Sequence, residues 1–109
     1  MARRRVPKEI KEMVRRYRTR LVEKDRLPID RVILFGSFAR HRAHSSSDVD
    51  ICVLSSRFND PLQATRLLLH KRDDVEVRAG LEPIGFTPAD FRAGGSLINE
   101  IKRTGVEVR

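Results

Sequence analysis

The residues whose types and spacing could do chemistry lie within residues 31–54. Asp48 and Asp50 alternate with apolar neighbours, so a strand would place both carboxylates on one face, with Cα atoms about 7 Å apart. Hard oxygen ligands of this kind suit Mg²⁺, which also accepts phosphate oxygens as ligands. Gly36 and Ser37 are separated from the pair by ten residues and can bring the backbone close to an anion.

The elements that must position these residues are two short strands and a turn between them. Apolar, β-branched runs at 32–35 and 51–54 predict two buried strands. A short helix over 37–40 would follow the first strand and point its N–H groups at an anion. A phosphate-binding turn that faces a divalent-metal site is the arrangement needed to transfer a phosphoryl or nucleotidyl group.

The flanking sequence predicts a small mixed sheet with helices on it, of the α/β (α+β) class. Asp60 and Pro61 are typical of a helix start, and that helix should end near residue 72. Period-two alternation over 75–82 predicts a third strand beside the second. Thr87 should cap a short helix, and Ser96 should cap a last helix over 97–103 with Leu97, Ile98 and Ile101 inward.

The predicted third strand should supply one more carboxylate to the metal site, because two-metal sites usually need a further acidic ligand. Glu76 and Glu82 would point the same way along an unbulged strand. The alternation alone therefore leaves both residues open.

Length and composition predict one domain over residues 1–109, without a membrane span or a secretory signal. Cys52 is the single cysteine, so no internal disulfide can form, and a reducing cytoplasm is the simplest setting.

The net charge of +8 is concentrated at the N-terminus, since residues 1–31 hold twelve Lys/Arg and five Asp/Glu. A basic helix is predicted within residues 1–26, starting at Pro7 and carrying an apolar stripe that includes Tyr17. Its charged side could attract nucleic acid or an acidic protein, or it could be a solvated surface.

The motif resembles a known family. Gly36-Ser37, ten residues and then Asp48-x-Asp50 are similar to the signature of the polymerase-β-type nucleotidyltransferases. The string LFGSFAR…SSSDVDICVL and the closing NEIKRTGVEVR resemble the minimal nucleotidyltransferases (MNT). That branch pairs with HEPN-domain ribonucleases in toxin–antitoxin modules, where it is the antitoxin.

The resemblance implies roles for individual residues. Asp48 and Asp50 would bind two Mg²⁺ ions, and Glu82 would complete the site, because Leu81-Glu82-Pro83 resembles a recurrent acidic-proline step of this branch. Gly36 and Ser37 would hold the triphosphate of ATP. The nearby Arg40 would neutralise a phosphate, whereas His41 and His44 are expected to be loop histidines without a metal role.

The activity that the resemblance implies is transfer of AMP from ATP to a hydroxyl, a tyrosine of the partner HEPN toxin, by a two-metal mechanism. Two alternatives remain at this point. One is an antitoxin that neutralises its toxin by binding alone. The other is a nucleotidyltransferase that acts on RNA, suggested by the basic first helix.

Overall fold

The described part of the chain comprises residues 6–40, 43 and 48–109 of a computed structural model. Within these ranges it forms four strands and five helices. In chain order they are α1 (Lys8–Glu23), β1 (Arg31–Phe35), β2 (Val49–Leu54), α2 (Pro61–His70), α3 (Asp74–Arg78), β3 (Leu81–Phe86), α4 (Pro88–Ala93), α5 (Ser96–Thr104) and β4 (Val106–Glu107).

The four strands form one mixed sheet in the order β3-β2-β1-β4. β1 pairs antiparallel with both β2 and β4, whereas β2 and β3 are parallel. The parallel pair is joined by a crossover that contains α2 and α3, as parallel strands require. The predicted fold class, a small mixed sheet flanked by helices, is therefore confirmed.

One face of the sheet packs against α1 and α2. Alternate residues of β1 and β2 point to this face, and helix α1 covers them with its apolar stripe. The buried side chains in this layer include Met13, Val14, Tyr17 and Leu21 of α1, Val32 and Leu34 of β1, Val49, Ile51 and Val53 of β2, and Ala64 and Leu68 of α2. The basic side of α1 consequently faces away from the sheet.

The opposite face packs against α4 and α5. Ile33, Cys52 and Leu54 from the sheet contact Phe91 of α4 and two isoleucines of α5, Ile98 and Ile101. Asp50 has the same parity as Cys52, so its side chain belongs to this second face. The two faces therefore separate the basic helix α1 from the carboxylate motif.

Helix α1 matches its prediction. It begins directly after Pro7, ends at Glu23 and buries Tyr17, whose hydroxyl donates a hydrogen bond of 2.6 Å to the Leu68 carbonyl. Burial raises the pKa of this phenol further above its ordinary value, and the Glu76 carboxylate adds to the effect. Tyr17 is thus a core residue, as its place in the stripe indicated.

The strand predicted over residues 75–82 is wrong in its first part. Residues Asp74–Arg78 form helix α3, because Asp73 caps its first turn through a reciprocal capping box with Glu76. The alternating valines Val75 and Val77 are 58% and 50% exposed, so their period-two pattern does not reflect a buried strand face. The strand starts only at Leu81.

The last helix differs from its prediction in its details. It starts at Ser96, but Gly95 is the N-cap and no side chain caps the helix. Leu97 is 43% exposed rather than inward. Gly105, which follows the helix, has extended backbone, and a Cβ there would lie 2.5 Å from the Ile101 carbonyl oxygen, so close packing requires this glycine.

Among the described helices, none has the length and apolar content needed to span a bilayer.

Candidate active site

The carboxylate motif lies at one end of the central strand pair. Asp50 is the second residue of β2, and its register partners are Phe35 on β1 and Glu82 on β3. Residues that are directly opposite in a sheet project their side chains to the same face. Asp50 and Glu82 are therefore cross-strand neighbours, and Asp48 shares their parity one step before the strand.

These acidic groups influence one another electrostatically. Asp48 is exposed and Asp50 is half-buried. Burial raises the pKa of the Asp50 carboxyl above its ordinary value, and the negative charges of Asp48 and Glu82 raise it further. The arrangement thus concentrates negative charge where a bound cation would relieve the repulsion.

The turn after β1 brings the backbone against this carboxylate. Gly36 has φ of +73°, a left-handed conformation that favours glycine. A Cβ at Gly36 would overlap the Oδ2 atom of Asp50. Any side chain here would thus distort both the turn and the position of the carboxylate.

The predicted short helix over 37–40 is wrong, because this segment is a turn. The Arg40 N–H donates to the Gly36 carbonyl at 3.1 Å, which closes a turn of five residues. A phosphate held here would contact the backbone N–H groups of a tight turn. The nucleotide-binding roles of Gly36, Ser37 and Arg40 stay predictions.

The Arg40 side chain is directed to α5. Its Nη1 lies 3.5 Å from Oε1 of Glu100, and Arg103 lies 4.0 Å from the same oxygen. Both Arg40 and Glu100 are partly exposed, with 42% of each side chain accessible. A phosphate at the turn would compete with Glu100 for this guanidinium.

The structure separates the two glutamates that the sequence left open. Glu76 lies in α3, is 2% exposed, and accepts hydrogen bonds from Arg20 and from the Asp73 N–H. Glu82 lies in β3 beside Asp50, with 49% of its side chain exposed and Arg72 4.0 Å away. Only Glu82 adjoins the aspartate pair, which supports its choice as third carboxylate; its metal role stays a prediction.

A divalent cation fits the chemistry of these donors. In the ranges 6–40, 43 and 48–109, no three His, Cys, Asp or Glu side chains are arranged to hold a metal ion by themselves. Mg²⁺ does not need such a cage, because it commonly binds one or two carboxylates and takes further ligands from water and substrate phosphates. Asp48 and Asp50 would hold it, and Glu82 would have to turn toward the pair to join them.

Sequence reasoning did not find Arg72 or Glu100, which contact predicted site residues from other parts of the described structure. Arg72 follows α2 and reaches Glu82 across ten positions, and Glu100 reaches Arg40 across sixty. Neither has a local motif, so no signal in the sequence could have identified them. The predicted loop residues His41 and His44 lie outside the described part of the chain, as does the serine run 45–47.

Comparison with known proteins agrees with this geometry. The sequence profile of the nucleotidyltransferase domain family matches residues 14–107, and the chain belongs to that family. A search of curated protein sequences finds no match.

Two solved structures share the fold. A protein from Sulfolobus solfataricus that is classed as a nucleotidyltransferase superposes with a TM-score of 0.64 at 12% identity, over 98% of this chain and 89% of that one. A toxin–antitoxin structure containing AMP-PNP superposes with a TM-score of 0.62 at 20% identity, over 91% of this chain and 72% of that one. At these identities the likeness establishes the fold alone.

Proposed function

We propose that this protein transfers AMP from ATP to a tyrosine hydroxyl of a partner HEPN-domain toxin and thereby acts as its antitoxin in the cytoplasm. The main support for the proposal is the grouping of three carboxylates, Asp48, Asp50 and Glu82, which we call the carboxylate row. Asp50 and Glu82 are cross-strand neighbours, and the Gly36 turn lies against Asp50. Membership of the nucleotidyltransferase domain family supports the reaction class. The toxin–antitoxin structure containing AMP-PNP supports the nucleotide and the type of partner.

The carboxylates and the neighbouring turn would have separate roles in this reaction. Asp48, Asp50 and Glu82 would hold Mg²⁺ ions, which neutralise the triphosphate and favour ionisation of the acceptor hydroxyl. The turn at Gly36 would offer its backbone N–H groups to the phosphates, and the missing Cβ keeps this backbone against the Asp50 carboxylate. Arg40 would leave Glu100 to pair with a phosphate oxygen.

The transfer is an in-line displacement at the α-phosphorus. The tyrosine oxygen forms the new bond to phosphorus, the bond from phosphorus to the β-phosphate oxygen breaks, and pyrophosphate leaves. The tyrosine proton passes to a carboxylate of the row or to water. Most of the rate enhancement then comes from positioning and charge neutralisation.

The basic helix α1 does not favour the RNA alternative. It packs on the sheet face opposite to Asp50, so its charged side is not part of the site. Several of its arginines also have structural partners: Arg20 binds Glu76, and Arg18 donates to the Val108 carbonyl at 3.2 Å.

The test is the intact mass of the candidate toxin after incubation with this protein, ATP and Mg²⁺. We expect a gain of one or more AMP groups that is lost with Asp50→Asn. Glu12→Gln is the matched acid-to-amide control, because Glu12 lies on α1, 47% exposed and away from the row. A stable complex without any mass gain, with each of the four nucleotides, would overturn the enzymatic proposal and leave an antitoxin that acts by binding.

A further inference from the structure

The second half of helix α1 and the residues beside it carry a cluster of positive charge that the proposed reaction does not use. Three shallow grooves adjoin there, and Glu23 lines all of them. The other charged residues that line them in the described part of the chain are cations, and two come from distant segments: Arg57 follows β2 and Arg109 follows β4. The fold therefore gathers cations from separate parts of the chain on one side of the molecule.

Four of these cations are available to a partner. Their side chains are exposed and form no ion pair with any other residue that the structure describes: Arg16, Lys24, Arg26 and Arg57. Such charges attract an oppositely charged molecule over about 10 Å in moderate salt. We call these four residues, together with Val22, the basic surface.

Arg26 has a backbone conformation that glycine would adopt at a lower cost. Its φ is +52°, in the left-handed region, and the N–H of Leu27 donates to the Leu21 carbonyl at 3.1 Å. Helices often end on a left-handed residue, which is usually glycine. The dipole of α1 does not explain an arginine here, because Arg20 and Lys24 already place cations at this end. A strained residue that keeps a long cationic side chain on the surface points to a role in binding.

The lining of the grooves fits a protein segment better than a nucleic acid. No aromatic side chain in the described part of the chain lines them, so bases would have no surface on which to stack. The carboxylate of Glu23 would also repel a phosphate. Val22 is 43% exposed among the cations, and Leu27 and Pro28 line the same groove. An apolar centre flanked by arginines is typical of protein–protein interfaces.

We propose that the basic surface docks an acidic segment of the partner toxin, with an apolar side chain of that segment against Val22. This inference rests on the proposed function for the identity of the partner. The surface is separate from the carboxylate row, because α1 covers the opposite face of the sheet and Arg57 follows the end of β2, whereas Asp50 is near its start. Docking therefore holds the toxin without covering the row.

The experiment is a calorimetric titration of the candidate toxin into wild type and variants, without nucleotide. Arg57→Gln and Arg26→Gly should each raise the dissociation constant about fivefold, with a larger effect at low salt. Arg92→Gln is the matched control: it removes the same charge from an exposed position of α4, on the other sheet face, and should change the constant less than about twofold. Val22→Ser should weaken binding about threefold at either salt concentration, since its contact is apolar.

Arg26→Gly also separates binding from folding. Because glycine relieves the left-handed backbone, the urea midpoint should rise while the toxin affinity falls. A more stable protein that binds less tightly cannot be a misfolded one. An unchanged toxin dissociation constant in both Arg26→Gly and Arg57→Gln would overturn the proposal and leave a solvated surface.

A labelled RNA oligonucleotide, single-stranded and as a duplex, is the second probe, followed by fluorescence anisotropy. If the variants lost RNA affinity and kept toxin affinity, the surface would be a nucleic-acid site and the proposal would be wrong. Toxin binding that depends on the basic surface, without any AMP transfer, would refute the proposed reaction and leave the docking site standing. Transfer with an equal toxin dissociation constant in all variants would do the reverse, and no toxin binding by wild type would refute the docking site.

Discussion

Two arginine–glutamate pairs, one with its glutamate in α3 and the other with its glutamate in β3, differ in burial, in distance and in the partners of the carboxylate. In the first, Glu76 is buried, accepts hydrogen bonds from Arg20 and Asp73, and joins α3 to α1. Arg20 also lies over the Tyr17 ring, 5.6 Å from its centroid. In the second, Glu82 is half-exposed and 4.0 Å from its arginine.

The difference separates a carboxylate that is committed to the fold from one that is free to bind a ligand. A buried charge must have its hydrogen bonds satisfied by fixed partners, and then it has no capacity left for a ligand. A half-exposed carboxylate with one loose partner can turn toward a cation at small cost. The hydrogen bond from Arg20 to Glu76 also raises the pKa of that arginine, as expected for a pair whose charges hold the fold together.

The largest expected effect is on stability at the first pair. Glu76→Ala should lower the free energy of unfolding by about 3 kcal/mol, because it leaves the partly buried Arg20 with only the more exposed Asp73 carboxylate and removes the capping box of α3. Urea unfolding measures it. Glu82→Ala is the matched control and should cost less than about 0.5 kcal/mol. Equal losses for the two variants would contradict the comparison.

The second effect concerns the rate of AMP transfer, and here the change at Glu82 should matter although it has little effect on stability. Glu82→Gln should reduce AMP transfer about 100-fold, equivalent to about 2.7 kcal/mol in the activation free energy, while the free energy of unfolding stays nearly the same. Single-turnover rates at saturating ATP measure the loss. Glu107→Gln is the control, since Glu107 also lies on a strand and pairs with Arg31 at 3.0 Å but is outside the row. A similar fall in both variants would mean that general surface charge, and not the site, is responsible.

The same contrast explains which parts could be predicted from the sequence. The caps at Asp60 and Thr87 and the motif strands depend on neighbours in the chain, and they lie where expected. The alternation of Glu76 with valines resembles a strand, whereas the contacts that decide its position are the cap at Asp73 and the distant Arg20. A period-two pattern does not show which of its residues are buried.

The candidate site also has one part that the local sequence predicts and another part that depends on the tertiary structure. The spacing of Gly36, Asp48 and Asp50 is local, and the structure brings the turn and the strand together. The proximity of Glu82 to Asp50 depends on the parallel register of β2 and β3, which no local signal specifies. Parity along a strand cannot show where that strand begins, so the alternation left both glutamates open, and only the resemblance of Leu81-Glu82-Pro83 favoured Glu82 at the level of the sequence.

The third effect concerns the turn at Gly36, which lies against the Asp50 carboxylate. Gly36→Ala should cost about 1–2 kcal/mol of stability from the left-handed backbone and should also weaken ATP binding, because the new Cβ displaces Asp50. Gly95→Ala is the control: Gly95 has φ of +137°, but a Cβ added there would meet no atom within 4 Å. Both variants should lose stability, and only Gly36→Ala should lose ATP affinity, measured by calorimetry.

The smallest expected effect is a change in the free energy of unfolding at Asp50. Its sign should be opposite to that of Glu76→Ala, which makes it a direct test of the comparison. Burial and the charges of Asp48 and Glu82 raise the pKa of Asp50 above its ordinary 3.8, so the folded protein binds this proton more tightly than the unfolded chain does. The stabilising contribution of the protonated form is present below pH 3.8 and is lost as the pH rises through the folded-state pKa.

At neutral pH the ionised Asp50 therefore destabilises the metal-free fold, and Asp50→Asn should increase the free energy of unfolding while it abolishes transfer. The gain should be smaller than the loss at Glu76→Ala and should shrink as the pH falls toward 3.8, where Asp50 is also neutral. Urea unfolding of both proteins from pH 7 to the acid limit of the native state, with EDTA present, measures it. A loss of stability at pH 7 would mean that Asp50 is held by the fold as Glu76 is, and the distinction between the two kinds of carboxylate would fail.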